Sequence, residues 1–188
     1  ADFWRSASAE ALVYGNYTQD TVQALSQKLD GLLASEAAVA IPELRVLKLE
    51  AGESVLYPVA VKHDDTVLAW YLQGAGNTWE DRAATAMTSQ IMKSGFFQQL
   101  RGVKPALDEA QFKRHRTALL NEVLRPHKNL WERAEFYWQS IAKKQFDFDG
   151  REALASAIEA MTLAQWQDYY SEVFLNNRRS LQVAAPGA

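Results

Sequence analysis

The chain has 188 residues, of which 48% are hydrophobic and 23% are charged, with a formal net charge of −3 and no cysteine. This composition is that of an ordinary globular chain with enough residues for a substantial core, not of a disordered or membrane-spanning one. The charge provides no basic field for nucleic acid, the lack of cysteine excludes disulfides and cysteine-ligated zinc, and no apolar run reaches the ~20 residues that span a bilayer.

The start of the chain predicts a helix. The first residues lack a basic stretch followed by an apolar one, so no signal peptide is expected there. Thr18 is a good N-cap, and apolar residues recur at helical spacing from Val22 to Leu33. They form one stripe, which predicts a helix that lies on a sheet. The apolar run at 44–49 has strand character.

Two further strands are predicted in the next stretch. Residues 54–61 alternate with a period of two, and Pro58 places that strand at an edge or a bulge because proline cannot donate to a ladder. Residues 67–72 are apolar on both faces, which predicts a strand buried from both sides. The segment 62–65 is expected to join the two strands as a hairpin, and the glycines at 74–76 to end the second strand, since no phosphate-loop lysine follows them.

The rest of the chain is predominantly helical. Thr78 is expected to cap a helix that closes near Gly95, and Thr162 with Gln165 forms a capping box. Further helices are predicted from Asp108 to the proline at 126, around Trp138 and at 151–160, and a last strand at 180–184.

The predicted strands come early in the chain, the helices come late, and the strands have the spacing of hairpins. This order predicts an α+β fold, with helices layered on one face of a mostly antiparallel sheet. Six large apolar side chains are expected to be buried together in its core: Leu25, Leu29, Trp70, Leu72, Trp138 and Trp166.

Several motifs resemble one peptidase family. Residues 94–101, Ser-Gly-Phe-Phe-Gln-Gln-Leu-Arg, resemble the F-F-N-Q-L-R segment in the C-terminal half of the pitrilysin and insulin-degrading-enzyme family, the inverted-zincin (insulinase) metallopeptidases. Residues 13–18 resemble the family's hydrophobic-G-N-x-T strand end, and the Phe-Asp-Phe-Asp at 146–149 resembles its F-D bend. The motifs follow one another in the family's order. The resemblance implies that residues 1–188 are a single C-terminal-type domain with the fold of the processing peptidases.

The resemblance also implies a missing segment after residue 101. In the family, the arginine leads into a T-x-E-Q-L-G-Y strand that lines the peptide-binding chamber, whereas Gly102-Val103-Lys104-Pro105 follow here. About a hairpin and a helix are lacking. Either the chain has lost them, or the sequence joins two pieces across missing residues. The second explanation is favoured because a true deletion would leave buried backbone groups unpaired.

Two residues are candidates for substrate binding through the resemblance. Arg101 matches an arginine that points into the chamber and contacts the substrate backbone, where a guanidinium can hold a peptide carbonyl. The alternative is a solvated arginine beyond a helix end. Phe97 matches a residue whose ring borders the substrate, with core packing as the alternative.

No catalytic or metal site is expected within the chain itself. His63, His115 and His127 are its only histidines, and none stands in an H-x-x-E-H motif. Adjacent carboxylates such as Asp64-Asp65 fall at turns and helix starts, where they have structural roles. Zinc is therefore expected only in the catalytic domain of the parent protein.

These observations support two functional hypotheses. In the first, the chain is a non-catalytic domain that forms part of the chamber of a zinc metalloendopeptidase, with the N-terminal catalytic half and a peptide substrate as partners and without nucleic acid or a membrane span. In the second, it is an inactive scaffold subunit of the same fold. The aromatic side chains of the helix with Trp131 and Trp138 either pack in a large core or form a docking surface. A cysteine-free chain tolerates the cytoplasm and an oxidising compartment, and the bacterial periplasm is favoured.

Overall fold

The computed structural model describes residues 7–33, 41, 45–60, 62, 66–99 and 107–185, with the side chains of 94–99 left out of the description. The chain divides into two compact units, which are described separately. Unit 1 comprises 1–46 with 126–148, and unit 2 comprises 47–125 with 149–188. No helix within the described ranges is long and apolar enough to cross a membrane.

Unit 1 contains helix α1, Gln19–Leu33. It begins where predicted, because the Thr18 hydroxyl accepts a hydrogen bond from the Thr21 N–H at 3.3 Å. The expectation that its apolar stripe lies on a sheet is wrong for the described part of the chain. None of its residues is buried, and Leu32 is 72% exposed. Val22, Leu29 and Leu33 of the stripe are half-buried, so the described residues cover its apolar face only in part.

The second helix of unit 1, α4, spans Leu130–Ala142. The Asn129 side chain caps it by accepting from the Glu132 N–H at 2.8 Å, and Lys144, with φ +56°, turns the chain beyond its end. Its inner face carries an aromatic cluster centred on Tyr137, whose ring lies 5.4 Å from Tyr14 and 5.7 Å from Phe148. These edge and tilted contacts tie the segment before α1 to α4.

Unit 2 has four α-helices, and the last of them continues as a π-helical turn. They are α2 (Trp79–Gln99), α3 (Glu109–Val123), α5 (Gly150–Ala160) and α6 (Leu163–Tyr170), followed by Ser171–Asn176. Complete capping boxes start two of them, Asp108 with Gln111 on α3 and Thr162 with Gln165 on α6. The second of these confirms the sequence prediction. The expected helix end at Gly95 is wrong, since α2 continues to Gln99.

The apolar faces of these four helices meet in one core. Its buried members are Ala83, Ala84, Met87, Phe112, Leu119, Ile158, Met161 and Trp166. Alanines on α2 let α3 and α5 approach closely, and the large rings fill the space between them. Phe112 and Trp166 lie with their centroids 6.2 Å apart, and Trp166 stacks on Tyr170 at 5.3 Å.

The sheet of unit 2 has three strands, β1 (Ser54–Pro58), β2 (Val67–Gln73) and β3 (Arg179–Ala185), in the order β1-β3-β2. Strand β3 is parallel to β1 and antiparallel to β2, so the α+β class is confirmed but the sheet is mixed rather than mostly antiparallel. The predicted hairpin between the first two strands is wrong, because β3 lies between them. Pro58 does end an edge strand, as expected.

The predicted common core is wrong for most of its members. Trp166 is buried, but Trp70 is 49% exposed and Leu25 is 41% exposed, and Trp138 also reaches solvent. Consecutive residues of β2 point to opposite faces, and Trp70 and Tyr71 are both exposed. Both faces of this strand therefore carry exposed large side chains, although Leu72 is half-buried, and its two-sided apolar pattern does not produce full burial.

Candidate functional site

The element that leads to the predicted site residues is helix α2, and its start is fixed by local contacts. The Thr78 hydroxyl accepts from the Asp81 N–H at 3.1 Å and donates to the Asp81 carboxylate at 3.0 Å. A Cβ on Gly76 would lie 2.5 Å from that same carboxylate, so the turn before the helix requires glycine. The glycine pair at 74–76 therefore serves the strand-to-helix turn, as predicted.

A tyrosine from another helix fastens this turn to the core. The Tyr169 hydroxyl on α6 is 2.9 Å from the Thr85 hydroxyl and accepts from the Ala75 N–H at 3.4 Å. One phenol thus joins the turn, α2 and α6. This role was not predicted from the sequence, because the spacing of Tyr169 in its helix is equally typical of a plain core residue.

The middle of α2 is held by a buried polar pair. The indole N–H of Trp166 donates to the Thr88 hydroxyl at 3.1 Å, and that hydroxyl donates to the Ala84 carbonyl at 2.8 Å. Every polar atom of the pair has a partner, which lets a tryptophan and a threonine share an apolar core without an unpaired group. The pair fixes the rotation of α2 about its axis.

One of the two predicted substrate-binding residues lies at the end of α2. Lys93 forms a 3.6 Å ion pair with Glu122 of α3, one turn before the Phe-Phe-Gln-Gln-Leu-Arg segment. Phe97 lies in the last turn of α2, which ends at Gln99. Arg101 lies outside the described residues, as does His63. The roles assigned to Phe97 and Arg101 remain predictions. The structure shows that the part of α2 before them is held by the contacts of Thr78 and Thr88.

The histidines that the structure describes, His115 and His127, do not belong to a group of metal-binding side chains. His115 lies on α3 in unit 2, and His127 lies in unit 1 with its ring 5.4 Å from that of Phe136. Across the described part of the chain, no three His, Cys, Asp or Glu side chains are grouped so that they could hold a metal ion. The described residues therefore provide no set of ligands for a catalytic zinc ion.

Similarity to known proteins covers nearly the whole chain. The chain is 31% identical over 85 residues to the peroxisomal insulin-degrading enzyme-like 1 of Arabidopsis thaliana, a match that covers 44% of this chain and 9% of that protein. It is 22% identical over 230 positions to a Schizosaccharomyces pombe protein whose name describes a zinc protease, covering 94% of this chain and 23% of that protein. No family model matches the chain.

Among solved structures, the fold matches that of pitrilysin with a TM-score of 0.77 and 16% identity over 93% of this chain. The chain therefore has the fold of a pitrilysin domain, and its sequence is similar to proteins named as an insulin-degrading enzyme-like protein and a zinc protease. It covers 24% of the pitrilysin chain, and it spans less than a quarter of the length of both curated relatives. Each match therefore aligns this chain with one part of a much longer protein.

Paired arginines brace the helices of this domain. The Arg116 guanidinium on α3 donates to the Met161 carbonyl at 2.9 Å, beyond the end of α5, and Arg151 on α5 donates to the Val123 carbonyl at 3.0 Å, at the end of α3. Each helix thus supplies a cation to the C-terminal carbonyls of the other, where the helix dipole favours positive charge. Only the cluster of basic residues was visible in the sequence, and this long-range exchange was not.

Proposed function

We propose that the chain is the non-catalytic C-terminal domain of a pitrilysin-like zinc metalloendopeptidase and forms part of the wall of its peptide-binding chamber. The observation that carries the proposal is the fold match with pitrilysin, which covers 93% of this chain but only 24% of pitrilysin. A domain of this size leaves most of such an enzyme to other domains. In the proposal, the N-terminal half supplies the zinc and the catalytic base.

The absence of a zinc motif in the sequence supports the non-catalytic role. A catalytic zinc site takes three protein ligands and an open position, and inverted zincins supply two of the ligands from one H-x-x-E-H helix. The chain has three histidines and none stands in that motif. Peptide bond hydrolysis is therefore assigned to another domain, and this chain contributes groups that hold the peptide.

The proposal includes a segment that is absent after residue 101. The match with the Schizosaccharomyces pombe protein runs over 230 positions, more than the 188 residues of the chain, so that relative carries residues without a counterpart here. The exposed faces of β2 and the free edges of β1 and β2 are consistent with a larger sheet in the intact domain. In the proposal, the absent strand completes this sheet and lines the chamber.

Arg101 is proposed to hold the substrate backbone. Helix α2 is capped at its start by Thr78 and held in its middle by Thr88 and Trp166, and it leads along the chain to the segment that contains Arg101. A guanidinium offers several N–H donors in a rigid fork, and such donors stabilise the oxygen of a peptide carbonyl as negative charge develops on it.

The test is replacement of Arg101 in the full-length enzyme. Arg101→Ala is expected to lower the turnover of a fluorogenic peptide by ~10²–10³-fold, as the loss of one preorganised donor does, and Arg101→Lys is expected to recover part of it. The melting temperature of both variants should match that of the parent. Arg114→Ala, which removes an exposed arginine from α3, is the matched control and should leave turnover unchanged.

Parental turnover in Arg101→Ala would contradict the chamber role of this residue. If the parent protein also binds no zinc, the scaffold hypothesis becomes the better account. The exposed apolar faces of the sheet are the observation that would then favour it, since a scaffold subunit covers such faces with its partners.

A further inference from the structure

An open groove lies on the surface of unit 1. One face of α4 forms it with Trp131, Ala134, Glu135 and Trp138, and residues 10–12 form its wall. Its volume is about 460 Å³, enough for one long side chain and part of a peptide backbone. Unit 1 alone supplies all of these residues.

The shape of the groove follows from helical spacing. Trp131 and Trp138 are seven residues apart, so they lie on the same face, separated by two turns or roughly 10 Å along the axis. Ala134 lies between them and, with only a methyl group, leaves the space between the two indoles open. Trp131 is 79% exposed, so its ring is available to a ligand.

The charge of the groove is negative. Glu10 is part of its wall and forms an ion pair with Lys144. Glu135 lies between the two tryptophans, and its carboxylate accepts a hydrogen bond from the Gln139 amide at 2.7 Å. In the part of the chain that the structure describes, Glu135 has no ion-pair partner. One carboxylate therefore lines the groove together with two indoles, and no described lysine or arginine forms an ion pair with it.

Unit 1 contains one contact between a cationic side chain and aromatic rings. The Arg133 guanidinium on the neighbouring face of α4 lies 5.9 Å from the Tyr14 ring centroid and 6.0 Å from that of Tyr137. Those distances are at the limit for attraction between a cation and an aromatic face, which is strongest for tryptophan. The groove offers the same chemistry with better rings and an added carboxylate, and none of the described residues that line it is an arginine or a lysine.

We propose that this groove binds the lysine or arginine side chain of an extended peptide. The two indoles would sandwich the alkyl stem and its cationic end, and Glu135 would face the positive charge. An anionic side chain would be repelled by the carboxylates, and a purely apolar one would leave Glu135 without its partner. The inference goes beyond the proposed chamber function and does not depend on Arg101 or on peptidase activity.

The test follows the indole N–H signals of the ¹⁵N-labelled 188-residue chain by NMR. The chain has six tryptophans, which give six indole signals to assign by substitution. The probe is the peptide acetyl-Gly-Lys-Gly-amide, compared with otherwise identical peptides that carry norleucine or glutamate. Only the lysine peptide should shift the Trp131 and Trp138 signals. The Trp166 signal should stay in place, because that indole is buried and donates to Thr88.

Two variants separate the contributions. Trp131→Ala is expected to weaken lysine-peptide binding about 2- to 30-fold, as the loss of one cation–π partner does, and its high exposure makes misfolding improbable. Glu135→Gln, which keeps the size of the side chain, is expected to weaken binding about 2- to 5-fold and to reduce its sensitivity to salt. Tyr57→Ala and Glu159→Gln remove an exposed aromatic and an exposed carboxylate from unit 2 and should change nothing.

Two results would overturn the proposal. One is an equal shift with the norleucine peptide, which would make the groove a general apolar surface. The other is the absence of any Trp131 or Trp138 shift at millimolar lysine peptide in the folded wild-type chain.

Discussion

The helices and the sheet of unit 2 differ sharply in how they bury apolar residues. Helices α2, α3, α5 and α6 converge on a core in which Met87, Phe112 and Ile158 are fully buried. The three-stranded sheet leaves Leu56, Leu68 and Tyr71 exposed, each at more than half of its surface. Both parts are rich in apolar residues, so composition does not explain the difference.

The difference shows which part of the fold is complete within the described residues. Capping boxes begin α3 and α6, and arginines of α3 and α5 donate to carbonyls at the end of the other helix. The buried polar groups of Thr88 and Trp166 hydrogen-bond to each other. No described strand pairs with the outer edges of β1 and β2, and several large apolar side chains of the sheet are exposed, a state that proteins usually avoid because unpaired strands invite association. We infer that the helical core holds the unit together and that the sheet is where further chain or a partner packs.

The largest stability effect is expected from Phe112. Replacing this fully buried ring with alanine should lower the free energy of unfolding by about 3–5 kcal/mol, because a cavity remains at the centre of the core. Leu68→Thr, on the exposed strand β2, should change it by no more than about 0.5 kcal/mol. Urea denaturation of both variants measures the contrast. A loss at Leu68 as large as that at Phe112 would mean that the sheet is covered in the folded chain.

A smaller effect is expected at the buried polar pair. Thr88→Val keeps the shape of the side chain but leaves the Trp166 indole N–H without a partner, which should cost about 1–3 kcal/mol. Ser156→Ala removes an exposed hydroxyl that also donates to its own helix, and it should be nearly neutral. Thermal melting followed by circular dichroism distinguishes the two. Equal stabilities would show that the Thr88–Trp166 bond does not hold α2 in place.

The smallest of the three effects is expected at a helix cap. Thr162→Ala removes the acceptor for the Gln165 N–H and half of the capping box of α6, and should cost about 0.5–2 kcal/mol. Thr117→Ala, at an exposed position within α3, serves as the comparison and should be neutral or slightly stabilising because alanine favours helix. Equal urea midpoints for Thr162→Ala and Thr117→Ala would show that the Thr162 cap does not contribute to stability.

Local signals predicted most of the helical part. The caps at Thr18, Thr78 and Thr162 were visible in the sequence because each depends on residues at most three positions away. The α+β class and the family also followed from the order of the motifs. The candidate residues Phe97 and Arg101 were predicted from the family resemblance alone. Their roles remain predictions because their side chains lie outside the described part of the structure.

Apart from the helix end predicted at Gly95, the errors concern contacts over long distances in the sequence. Strand pairing was assigned to neighbours, yet β3 arrives more than a hundred residues later to separate β1 from β2. Trp70 was expected in the core because its strand is apolar on both faces, but burial requires a second layer that the strand itself cannot specify. Glu135 in the tryptophan groove was missed for the same reason, since only the fold brings residues 10–12 to α4.

The central proposal, that this chain is a non-catalytic domain of a zinc peptidase, is tested most directly by metal analysis of the purified 188-residue chain together with a peptide cleavage assay. The account predicts far less than one zinc per chain after dialysis against zinc-containing buffer, and no cleavage of a fluorogenic peptide above buffer. Stoichiometric zinc with cleavage that a chelator abolishes would contradict it.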